Sequence, residues 1–152
     1  MSLQSRPLFN LTIHLHPTIE LGQTPAGGRR IFPVSGGVFE GDRLRGVVSP
    51  MIGSDLLLMR SDGAFQQDVR LLLVTDDGDN ILMTYRGIRR ASPEIDARLS
   101  RGEAVDPSAY YLRTTPYFET ASEKYAWING VVSVAQGGRV AGGVRYETYE
   151  IL

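Results

Sequence analysis

Apolar and polar residues alternate with a period of two through most of this chain, in runs cut apart by clusters of Gly, Asp, Pro and Asn. A period of two puts successive side chains on opposite faces of an extended backbone, so the pattern predicts β-strands rather than helices. Residues 8–15 show it plainly: Phe9, Leu11, Ile13 and Leu15 alternate with Asn10, Thr12 and His14, as in a half-buried strand. Further strands are predicted at 30–34, 39–48, 55–60, 65–75, 81–90, 109–115, 125–135 and 144–151, with a loop containing Pro17, Pro25 and Gly27-Gly28 after the first. Asp62-Gly63 and Asp77-Gly78 suit the positive φ angles of tight hairpin turns. Gly36-Gly37, Gly41 and Gly46 interrupt strands where bulges or bends would curl a sheet. The longest interruption, 91–106, carries Ser92 ahead of Pro93-Glu94, a helix-start pattern that predicts one short helix near residues 92–101.

About nine or ten hairpin-linked strands with so little helix leave open sheet edges unless the sheet closes on itself. The fold class expected is therefore all-β, a single antiparallel β-barrel over residues 1–152, with a β-sandwich as the alternative. A barrel of about eight strands holds one small ligand among its inward side chains.

Composition narrows the functions. There are no cysteines, which removes disulfides, thiolate nucleophiles and Cys-ligated metals. A net charge of −1 gives no field for nucleic-acid phosphates. No run of about 18 apolar residues is present to span a bilayer as a helix. The N-terminus lacks the basic stretch and apolar core of a signal peptide, Met1-Ser2-Leu3 has the look of an expression scar, and a cytoplasmic location is expected. Every cation but Lys124 is an arginine, which suits carboxylate recognition, although codon preference explains the bias more simply.

The candidate chemistry lies on the strand faces. In 65–75 one face carries Gln66, Asp68, Arg70, Leu72 and Val74, and the other Phe65, Gln67, Val69, Leu71 and Leu73. If the second, apolar face packs outward against a helix or a second subunit, Asp68 and Arg70 stand side by side in the lumen. Tyr85, Arg113, Glu119, Trp127 and Asn129 on other strands would complete a pocket with a few polar groups among aromatics, although Arg113 and Glu119 could equally be a structural pair at the rim. Asp68 then reads as a proton acceptor, Arg70 or Arg113 as an anion holder and Tyr85 as a donor. A plain Asp–Arg staple between strands accounts for the same residues equally well. His14 and His16 share a face, but no third metal ligand is evident and solvated imidazoles are the simpler reading. Gly36–Gly41 lacks the Lys-Ser/Thr and following helix of a phosphate loop, and neither Ser35 nor Ser54 sits in a nucleophile elbow.

Several long motifs, in order, are similar to one family. They are Gly36-Gly37-Val38-Phe39-Glu40-Gly41-Asp42-Arg43-Leu44-Arg45-Gly46, the stretch from Asp62-Gly63 through Asp68-Val69-Arg70 to Thr75-Asp76-Asp77-Gly78, Tyr85-Arg86-Gly87, Tyr111-Leu112-Arg113-Thr114-Thr115-Pro116 with Phe118-Glu119-Thr120, and Tyr125-Ala126-Trp127-Ile128-Asn129. They closely resemble the bacterial and fungal family known as domain of unknown function 3237. That resemblance implies a small barrel of lipocalin-like general appearance and no agreed activity. Family members often carry an aromatic residue where this chain has Leu56, a difference in the expected pocket wall.

Two functions follow as expectations. One is a barrel that binds a small metabolite. The other is a cofactor-free isomerase, cyclase or lyase with Asp68 as base and Arg70 or Arg113 stabilising an oxyanion. A homodimer built on outward Val69, Leu71 and Leu73 is compatible with either, and the 91–106 loop is placed to cap one barrel mouth.

Overall fold

The computed structural model describes residues 2–152. Nine strands follow in order: β1 (Ser5–Leu15), β2 (Ile19–Thr24), β3 (Gly27–Glu40), β4 (Arg45–Met59), β5 (Phe65–Thr75), β6 (Asn80–Arg90), β7 (Tyr111–Glu119), β8 (Ser133–Val140) and β9 (Gly143–Ile151). One helix, α1 (Pro93–Ser100), lies between β6 and β7. It starts where expected, the Ser92 hydroxyl accepting the Ile95 N–H at 3.3 Å.

All pairings are antiparallel and run β1-β9-β8-β7-β6-β5-β4-β3-β2. An additional β1–β3 pairing, Asn10 opposite Glu40 through His14 opposite Gly36, closes eight strands into a barrel and leaves β2 as a ninth strand on the first half of β3. One strand serves both partners because β3 bends at 33–37, where its register with β4 shifts. Gly37 makes the seam possible: it sits at φ +150°, and a Cβ there would lie 2.1 Å from the Thr12 carbonyl oxygen.

The interior follows one parity. Leu11 and Ile13, Phe39, Val48, Val69, Leu71 and Leu73, Ile81 and Met83, Leu112 and Phe118, and Ala135 are buried on successive strands. At the end bearing the β5–β6 turn the lumen is solid. Phe9 packs edge-on against Phe39 and Phe118, each at 5.7 Å between ring centres. A 3-10 turn, Ala126–Gly130, buries Ile128 completely there.

Four expectations are corrected. The stretch 39–48 is not one strand, because β3 ends at Glu40, a turn over 41–44 follows, and β4 runs unbroken from Arg45 to Met59. The face Phe65, Gln67, Val69, Leu71, Leu73 turns into the barrel, so Asp68 and Arg70 point outward, and no Val69–Leu71–Leu73 patch is left for a second subunit. With no layer outside the barrel to bury an apolar face, the more apolar face of β5 becomes the core. Residues 125–135 do not form a single strand: the 3-10 turn comes first and β8 begins at Ser133. Strand β2 arises in the stretch expected to be loop, because hydrogen bonding to β3 organises it despite its exposure. No helix among the described residues is long and apolar enough to cross a membrane.

Candidate functional site

At the opposite end the barrel is hollow. A cavity of about 350 Å³ opens past Leu99 and Ser100 of α1, so the 91–106 segment does cap a mouth. Its walls are polar and apolar in about equal measure, the apolar part including Ile13, Val34, Leu57, Val69, Leu112 and Val144. Four hydrogen-bonding groups stand among them below the mouth: Asp55, Gln67, Tyr85 and Tyr146.

Asp55 owes its position to an irregularity in β4. The β4–β5 register breaks between Val48 and Gly53, and Gly53 sits at φ +140°. Such bulges re-aim the side chains that follow. Beyond Asp55, opposite Val69, the ladder opens: the Leu56 carbonyl accepts Arg29 Nη1 at 3.0 Å, and the Asp68 N–H donates to Asp55 Oδ1 at 3.0 Å. The Asp55 carboxyl thus completes the sheet and faces the cavity as well. Burial pushes its pKa up from 3.8 to about 7; the Asp68 N–H pulls the other way, and the Asp68 charge adds to the rise.

Tyr85 on β6 and Tyr146 on β9 meet edge-on across the lumen, ring centres 5.5 Å apart. Tyr146 fits because its cross-strand neighbour is Gly137, where a Cβ would fall 2.4 Å from the ring. Burial drives both phenols well above their ordinary pKa, and the nearby Asp55 charge adds to the effect, so both remain protonated hydrogen-bond donors. Gln67, 6% exposed, also lines the cavity, and its Oε1 has no hydrogen-bond partner among the described residues.

Charge collects at the mouth. Arg30 pairs with Glu20 at 2.8 Å between β3 and β2. Arg89 is held between Asp96 of α1, at 2.9 Å, and the ring of Phe65, at 4.3 Å. Arg139 on β8 completes the rim. Among the described residues no three His, Cys, Asp or Glu side chains converge as a metal site.

Of the seven residues expected to meet in one pocket, the cavity contains Tyr85 alone. Asp68 and Arg70 are on the outer surface of β5. Arg113, also outward, stacks near Tyr111 and donates to the Leu112 carbonyl at 2.9 Å. Glu119 is exposed at the end of β7. Trp127 lies beneath the Arg43 guanidinium, 4.0 Å above its ring, and Asn129 braces the Thr120 backbone at 2.8 and 3.0 Å, both in the solid end. Leu56 faces outward, so the difference from the family at that position does not touch the cavity. Asp55, Gln67, Tyr146, Arg89 and Arg139 went unmarked. The parity of β5 would have found Gln67, had its apolar face been taken as core. Nothing local distinguishes Asp55.

Fold and site together define an eight-stranded closed barrel with an extra strand, solid at one end and bearing at the other a cavity with a near-neutral carboxyl and two phenols. The chain belongs to the family described as protein of unknown function (DUF3237), whose model matches residues 3–151. It is similar to the crystal structure of a beta-barrel like protein from Acinetobacter baumannii, at 39% identity over 100% of this chain and 98% of that one, with a TM-score of 0.86. A conserved protein of unknown function from Rhodopseudomonas palustris superimposes with a TM-score of 0.95 at 31% identity, covering 100% and 99% of the two chains. A more distant relative, 29% identical over 140 residues that cover 87% of this chain and 77% of its own, is the hydroalkoxylation enzyme phnH of Penicillium herquei.

Proposed function

We propose that this protein is a cofactor-independent acid–base enzyme that adds a hydroxyl across an activated carbon–carbon double bond, or eliminates one, in a small molecule held in the barrel. The observation that carries the reading is Asp55, a carboxyl facing the cavity at the hollow end of the barrel with its pKa pushed up to about 7. Proton transfer is most effective when the pKa of the group lies near the working pH, a condition that the raised Asp55 carboxyl meets better than an ordinary carboxylate.

In the addition direction Asp55, as carboxylate, takes the proton of the substrate hydroxyl. The oxygen forms a bond to the β-carbon of an enone, and the displaced π-electron pair moves to the carbonyl oxygen. Tyr85 or Tyr146, held as phenols, donate a hydrogen bond to that oxyanion. The proton then passes from Asp55 to the α-carbon, which restores the carboxylate. Every substrate atom is retained and no oxidant or reductant is needed. The name of the Penicillium herquei relative, a term for adding O–H across a double bond, supports the class of reaction.

A second reading has support of its own: the Asp55 carboxyl also fills a gap in the β4–β5 ladder, as expected in a barrel that binds a small molecule without transforming it. One experiment separates the two. An ortho-hydroxychalcone closes to a flavanone by adding its phenol across its own enone, a change followed by absorbance. The acid–base reading expects the protein to accelerate closure above the buffer rate and Asp55→Asn to abolish the acceleration. Binding of a panel of such chalcones with no acceleration, or full acceleration by Asp55→Asn, would overturn it.

A further inference from the structure

We infer that the molecule held in this cavity has an anionic end, a carboxylate or its equivalent, seated at the rim by Arg139 and Arg89, with its uncharged polar end toward Asp55. The orientation rests on the acid–base reading of Asp55; the recognition of charge does not.

The argument begins with the charges at the mouth. Arg30 is neutralised by Glu20, and Arg89 has Asp96 behind it on α1. Arg139 has no carboxylate within 4.0 Å among the described residues, although its strand position is fixed by its backbone N–H donating to the Tyr110 hydroxyl at 2.7 Å. Its guanidinium is close enough to raise the cost of charging Arg89 and to favour the ionised form of Tyr146. Two guanidiniums therefore share one rim with a single acid between them, and that acid approaches Arg89 from the helix side.

Such an arrangement is electrostatically incomplete. A planar carboxylate in front of the pair would accept hydrogen bonds from both in the fork geometry that arginine favours. Arg89 is already immobilised, its side chain only 11% exposed between Asp96 and Phe65, so little conformational entropy is lost on engaging a ligand.

Depth supplies the rest. Along the β8–β9 ladder Arg139 is opposite Val144 and Tyr146 is opposite Gly137, so the Tyr146 ring stands two residues below the Arg139 rim in the cavity that Asp55 also faces. Around it Ile13, Val34, Val69, Leu112 and Val144 supply apolar wall, and the polar groups beside them, Gln67, Tyr85 and Tyr146, are uncharged. The matching ligand has an anionic end, an apolar body such as a ring, and a neutral hydroxyl or carbonyl end. Entry with the charged end leading would strand an anion among Ile13, Val34 and Leu112 beside a carboxyl.

The test uses matched pairs that differ only in charge: para-coumarate and para-hydroxyphenylacetate, each beside its methyl ester, titrated calorimetrically into the wild type, Arg139→Gln and Asp55→Asn. The wild type is expected to bind the carboxylates at least about tenfold more tightly than the esters, with the preference shrinking as salt is added. Arg139→Gln, which leaves Arg89 in place, should lower carboxylate affinity severalfold and narrow the preference, with ester affinity unchanged. Asp55→Asn should retain the preference. Equal binding of acid and ester by the wild type, no binding of either acid, or an undiminished preference in Arg139→Gln would overturn the inference. Charge preference without any chalcone closure would sink the acid–base reading and leave this one standing.

Discussion

Replacing Asp55 by Asn removes one ionisable group while keeping its size and a carbonyl oxygen to accept the Asp68 N–H, now at 3.0 Å. In the folded protein the carboxyl holds its proton up to about pH 7, whereas in the unfolded chain it releases it near 3.8. Between those values the folded state binds the extra proton, so stability falls as pH rises. The contribution is complete below about pH 4, declines by about 1.4 kcal/mol for each pH unit in the steep region, and levels off above pH 7. The whole excursion is about 4 kcal/mol, a ceiling because water reaching the cavity face screens part of it. Between pH 6 and 8 the fall is about 1.4 kcal/mol, or roughly 3–5 °C in Tm for a domain of this length. The carboxylates whose pKa is lowered, Asp62, Asp77, Glu94, Glu103 and Glu150 among them, act in the opposite direction, but from about pH 6 upward they are ionised in both states and leave the slope alone. Urea unfolding at pH 6, 7 and 8 therefore isolates Asp55. The wild type should lose stability steadily, whereas Asp55→Asn should be nearly flat and more stable than the wild type at pH 8. A flat wild-type profile, or an equal slope in both proteins, refutes the argument.

Two further outcomes follow from the fold. Asp68→Asn and Arg70→Gln, on the outer surface of β5, should leave para-coumarate affinity within about twofold of wild type by calorimetry, because neither side chain borders the cavity. Gly37→Ala should cost several kcal/mol, roughly 3 or more, in urea unfolding, since it combines a φ of +150° with a contact 2.1 Å from the Thr12 carbonyl oxygen at the closing seam; a loss under about 1 kcal/mol would mean the seam is not tightly closed.

Much of the architecture was legible in local pattern. The hairpin at Gly78, which sits at φ +88°, and the start of α1 at Pro93 each depend on a few adjacent residues, so their chemistry is written contiguously. The site was legible only in part. Tyr85 was singled out and does line the cavity, whereas Asp68 and Arg70 were assigned to the wrong face of the right strand. Alternation establishes that a strand has two faces but is unchanged when they are exchanged, and a one-residue error in phase moves every side chain. Residues 125–135 were misread for a different reason: Trp127 and Asn129 were counted as one inward strand face, whereas the 3-10 turn buries every third residue, Tyr125, Ile128 and Val131.

The sequence by itself determined that the chain is antiparallel β with a single short helix, that it has no thiol chemistry, and that its family is that of a small barrel. These are properties of composition, of neighbours along the chain and of contiguous motifs. Only the tertiary structure decided which face of each strand became the interior, which end of the barrel stayed hollow, and that Asp55, Tyr85, Tyr146, Arg89 and Arg139 share one cavity. Those residues come from four strands of a closed sheet and are brought together by pairings across it. The unusual character of Asp55 likewise belongs to no short segment: it arises from burial and from a gap in a ladder between two strands, neither of which exists until the barrel closes.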